Sequence, residues 1–102
     1  MAIDISKTSD SSFALSGKLE FASVRQAEKT AKSLFNFQQD FTIDCTELKH
    51  CDSAGIALLV NWTKFAKLNE VKILFINFTR QMQQLINLMN LEGIFPGKQS
   101  GK

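Results

Sequence analysis

A chain of 102 residues, 44% hydrophobic and 22% charged, has the length of one domain and the apolar content for one core, which excludes a disordered polymer. Twelve Lys and Arg against ten Asp and Glu leave a formal charge of +2, too balanced for the basic stripe that a nucleic-acid backbone requires. Residues 1–10 hold no apolar run of the signal- or transit-peptide kind, and the longest apolar run, 54–60, is far below the ~20 residues that span a bilayer. The sequence therefore predicts a cytoplasmic chain with no nucleic-acid partner and no direct membrane insertion.

Ile3 and Ile5, then Phe13 and Leu15, stand two apart on either side of a polar stretch and predict two short strands around a turn. Ser23 followed by Gln26 has the form of a capping box, and Val24, Ala27, Ala31 and Leu34 continue at helical spacing over 24–37. Phe41, Ile43 and Cys45 alternate with Thr42, Asp44 and Thr46, which suits a short strand. Asp52 or Ser53 caps a second helix over 53–68. VKILFINF, 71–78, is rich in β-branched and aromatic residues and carries the strongest strand signal. Thr79 caps a third helix to about residue 90, with Met82, Leu85, Ile86 and Met89 on its inner stripe, and the tail 96–102 has nothing to pack. Each strand–helix–strand step implies parallel neighbours, so the expected class is α/β, a mixed sheet covered mainly on one face by helices.

On a wheel at about 100° per residue, the central helix puts Ala54, Ala57, Leu58, Phe65 and Leu68 on one side, extended by Leu59, Trp62 and Ala66. That side is read as the core face, although Asn61 falls in it and would need a partner if buried. Opposite lie Ser53, Ile56, Val60, Thr63, Lys64 and Lys67, so two β-branched side chains are expected to project outward and to seek a partner. Ser53 stands at the helix start, where unpaired N–H groups and the dipole favour an anion. A phosphate there would add about two negative charges to a surface that dries on binding, so one hydroxyl could switch affinity. Gly55 inside the first turn costs about 1 kcal/mol of helix propensity, and close approach of another backbone is a reason to keep it.

Cys45, His50 and Cys51 are close in sequence, yet two thiols and one imidazole fall short of the four paired ligands zinc takes, so two reduced, buried thiols and no metal are expected. No second group stands at a spacing that would activate Ser53 as a nucleophile, and no phosphate-binding G-x-x-x-x-G-K-[ST] loop exists. Asp44, Glu47 and Asp52 suit caps and turns better than an acid and base pair. The sequence predicts no catalytic residues and no cofactor.

CDSAGIALLV, preceded by FTIDCTELKH, resembles the signature of STAS domains, the modules of sulfate transporters and anti-sigma-factor antagonists, and the likeness spans roughly residues 3–95. It implies a STAS-like sheet of about four to five strands with three to four helices, a single domain over 1–95, and work by docking rather than catalysis. Gly55-Ile56-Ala57-Leu58-Leu59 and LINLMNL are similar to the small STAS subunit of Mla-type ABC transporters. That branch implies an ABC-type ATPase subunit as partner, phospholipid traffic supporting outer-membrane lipid asymmetry, and a place at the inner face of the inner membrane through the partner. Asp52-Ser53 is also similar to anti-sigma-factor antagonists, the alternative reading, which implies phosphorylation of Ser53 by an anti-sigma-factor kinase. The docking residues expected under the first branch are Asp52, Ser53, Gly55, Ile56, Val60, Thr63, Lys64 and Lys67.

Overall fold

The alternation of the first twenty residues closes into a hairpin: in a computed structural model describing residues 3–95, β1 (Ile3–Ser9) pairs antiparallel with β2 (Ser12–Leu19). Helix α1 (Val24–Leu34) then leads to β3 (Phe41–Cys51), α2 (Ser53–Leu68) to β4 (Ile73–Ile76), and α3 (Arg80–Leu88) follows. The sheet order is β1-β2-β3-β4, with β2 parallel to β3 and β3 parallel to β4, as the strand–helix–strand steps require. Four strands and three helices fall within the expected α/β class. The tail at 96–102 lies outside the described residues.

One side of the sheet carries the core. Ile3, Ile5, Phe13, Leu15, Ile43, Cys45, Ile73 and Phe75 are buried, whereas their neighbours Asp4, Ser6, Ala14, Thr42, Asp44 and Leu74 are half-buried or exposed. Helices on one face only are the physical reason why even the interior strand β3 alternates.

β3 runs further than its alternation predicts. Ala14 pairs with Asp44 but Ser16 with Glu47, and Gly17 pairs with Leu48 but Lys18 with His50, so β3 twice carries an extra residue. These bulges reset the phase and return Leu48 and Cys51 to the core face. β4 is shorter than 71–78. Val71 N–H still closes the end of α2 on Ala66 O at 2.9 Å, Lys72 N–H donates to Asp40 at 2.8 Å, and Asn77 turns the chain at φ 60°.

Helix α1 stops at Leu34 instead of 37, because Phe35 adopts an extended conformation and enters the core edge-on to Phe13 and Trp62, with centroids 4.9 and 5.0 Å away. The expected capping box at Ser23 does not form: its hydroxyl makes no cap bond and instead holds the turn before the helix. Thr79 caps α3 by accepting from Met82 N–H at 3.2 Å, and Met82 and Ile86 are buried on the inner stripe.

Candidate functional site

Parallel neighbours β2 and β3 end together at the pair Leu19 and Cys51, so the turn into α1 and the start of α2 emerge side by side at the C-terminal edge of the sheet. Asp52 joins them. One carboxylate oxygen accepts from Gly55 N–H at 3.0 Å, capping α2, and the other accepts from Phe21 N–H at 3.1 Å in the neighbouring turn. Its own N–H donates to Leu19 O at 3.2 Å. Asp52 is thus the cap, and Ser53 becomes the first helical residue, exposed at the end where backbone N–H groups are unpaired.

Gly55 is explained by the same junction. A Cβ there would collide with the main-chain oxygen of Leu19 and lie 2.8 Å from Cys51 Sγ. The close backbone that the sequence argued for exists, and it belongs to the chain's own β2.

The expected outward face of α2 is corrected. Ile56 is 0% exposed, and Val60 is half-buried against the core. Thr63 is buried too, its hydroxyl satisfied by Leu59 O at 2.9 Å. Conversely Phe65 is 51% and Leu68 82% exposed, Ala57 is exposed, and Asn61 faces solvent and needs no buried partner. The wheel erred because α2 lies between α1 and α3 over β3 and β4, so neighbours wrap a broad arc of it. What remains outside is the narrow stripe of Ser53, Ala57, Asn61, Lys64 and Leu68, with Phe65 and Lys67 beside it. Of the residues expected at the surface, Ser53, Lys64 and Lys67 lie there; Ile56, Thr63 and Gly55 support it from behind.

Sequence reasoning missed Phe21, the most exposed large apolar residue described, at 84%. It borders a groove of about 510 Å³ lined also by Ala22, Val24, Arg25, Glu28 and Ala54, the residue that follows Ser53. The signal available was an aromatic residue in a turn, between the end of a strand and a helix start.

His50 leaves the cysteines and lies 3.6 Å from Glu20 and 3.2 Å from Gln81, whose carbonyl accepts from Cys51 N–H at 3.0 Å. Burial, aided by Asp52, pushes the Cys51 thiol up to about 12, and burial pushes Cys45 higher still. Burial alone would raise the Asp44 carboxyl. Hydrogen bonds from the Thr46 hydroxyl at 2.6 Å, Thr46 N–H at 2.9 Å and Asn77 at 3.1 Å outweigh it and hold Asp44 below the usual carboxylate value. Among the described residues no helix is long and apolar enough to cross a membrane.

Residues 4–96 match the family model described as "Mlab, STAS domain". Among solved structures, the anti-sigma factor antagonist SpoIIAA in its unphosphorylated form is similar at a TM-score of 0.70 and 13% identity, covering 97% of this chain and 90% of that one. The Bacillus cell fate determinant SpoIIAA in its phosphorylated form is similar at a TM-score of 0.63 and 15% identity, covering 97% and 93%. These two likenesses are likenesses of fold. No curated protein sequence matches the chain.

Proposed function

Since the chain belongs to the MlaB-type STAS family, we propose that it is a non-catalytic subunit that binds and stabilises the cytosolic ATPase of an ABC transporter moving phospholipid between bacterial membranes. The observation that carries this reading is the family match over residues 4–96. STAS domains act through protein–protein interactions and are generally binding or regulatory modules, which agrees with a site built of backbone caps and exposed apolar groups. In this reading the ATPase lies along the exposed stripe of α2, meeting Ser53 at its start and Lys64 toward its end, with Lys67 at the margin. It also places the chain at the inner face of the inner membrane.

Ser53→Asp tests the site. A carboxylate in the first turn of a helix is compatible with the dipole, so the fold should hold, whereas a charge in a surface that dries on binding should cost several kcal/mol of affinity, on the order of a hundredfold or more in Kd. Titration calorimetry against the purified ATPase subunit measures this, and undiminished binding would remove Ser53 from the interface. Capture from native cells followed by mass spectrometry tests the partner: recovery of an ATPase and a permease supports it.

A second reading is supported by the fold likeness to SpoIIAA in both forms, together with Asp52-Ser53 at an exposed helix start. There the chain is an anti-sigma-factor antagonist that captures a partner kinase while Ser53 is unmodified and is switched by that kinase's phosphorylation of Ser53. Recovery of a small kinase, and a phosphate on Ser53 in the intact mass, would install this reading instead.

A further inference from the structure

A single exposed apolar residue on a surface is ordinary. Phe21 differs in how its backbone is held. Ser23, buried, donates its hydroxyl to Lys18 O at 2.7 Å and accepts from Glu20 N–H at 3.0 Å. Ser23 N–H and Val24 N–H both donate to Glu20 O, at 2.8 and 3.0 Å, and Phe21 N–H is tied to Asp52 across the junction. Every one of these bonds is made by residues other than the Phe21 ring. The turn has thus lost its conformational freedom before any partner arrives, and it presents a large aromatic side chain with only two torsions left to fix.

The surroundings specify the partner. Phe21 stands next to a hollow, so a convex anchor and a concave groove occur side by side. A protein surface can fill both, whereas a lipid bilayer would take up the ring and leave the groove wet. Charge narrows the choice further. Along α1 and the outer stripe of α2, Arg25, Lys29, Lys32 and Lys64 are exposed against Glu28, four positive charges to one negative, while Glu20 and Asp52 at the turn itself are engaged, Glu20 lying 3.6 Å from His50 and Asp52 accepting from two backbone N–H groups. Such a surface steers toward an acidic counterpart.

We propose that Phe21 is the anchor of the docking site, inserted into an apolar socket on a protein partner whose surrounding surface is acidic and which meets the basic α1–α2 face. This deepens the docking reading above and rests on it, without depending on which protein the partner is.

The test uses the full chain and the partner captured with it from native cells, identified and then purified. Phe21→Ala retains every backbone bond of the turn, so its unfolding curve should overlay the parent's while Kd rises at least about tenfold. Lys32→Glu together with Lys64→Glu should slow association and flatten its dependence on salt. Binding by Phe21→Ala within about twofold of the parent overturns the proposal. So does Phe21-dependent sedimentation with vesicles of equimolar phosphatidylethanolamine and phosphatidylglycerol, which would assign the ring to a membrane. A Phe21-dependent partner that is not an ATPase upholds the anchor and removes the transporter reading; an ATPase indifferent to Phe21 does the reverse. Recovery of no partner at all removes both.

Discussion

Gly55→Ala sets two effects of opposite sign against each other. Helix propensity alone favours alanine by about 1 kcal/mol in a helix interior. Packing opposes it, since the new methyl would enter the space of the Leu19 carbonyl oxygen and lie 2.8 Å from Cys51 Sγ. Leu19 O cannot step aside freely, because it sits in the β2–β3 ladder and accepts from Asp52 N–H at 3.2 Å. Helix α2 must move instead, stretching the 3.0 Å bond from Gly55 N–H to Asp52. Overpacking of this kind costs ~1–3 kcal/mol and loss of a helix cap about 1, so after the propensity gain the variant should be destabilised by roughly 2 kcal/mol. For a domain of this size that lowers Tm by about 10 °C. Urea and thermal unfolding followed by circular dichroism measure the change. A variant as stable as the parent, or more so, would show that β2 does not press on the start of α2, and the account of Gly55 would fail.

Two further outcomes follow from the buried and hydrogen-bonded groups. With both thiols buried and held above their ordinary range, Cys45 and Cys51 should resist a disulfide reagent in the native protein at neutral pH and react fully in urea; fast native labelling of either would contradict its burial. Asp44 has a folded value below its ordinary 3.8, so its contribution to stability is complete above that value and disappears as pH falls through the lower folded one. Asp44→Asn should therefore be less stable than the parent at pH 6, and the gap in urea midpoints should close below about pH 4. A gap of constant size across that range would remove the carboxylate from the account.

The periodic apolar pattern, the turn residues and the cap residues fixed the order of elements before any coordinates. The two-apart spacing in β1 and β2, the run containing Ile73 and Phe75, the start of α2 at Asp52 or Ser53 and the cap Thr79 all depend on neighbours within a few residues, so they can be read along the chain, although only the structure selects Asp52 as the cap. The signature CDSAGIALLV carried the family in the same way. The second half of β3 could not be read, because its bulges arise from pairing with β2 and break the period of two.

Which face of α2 meets water was decided only in three dimensions. A wheel ranks residues by hydrophobicity around one axis, whereas exposure is set by what stands beside the helix, and here α2, flanked by α1, α3, β3 and β4, has Ile56 and Thr63 buried while Phe65 is half exposed and Leu68 largely so. Phe21 and Ser53 are 32 positions apart, and nothing along the chain joins them. They come to lie at one edge of the sheet because β2 and β3 are parallel neighbours ending there, and because a single carboxylate, Asp52, has two oxygens with which to hold both backbones.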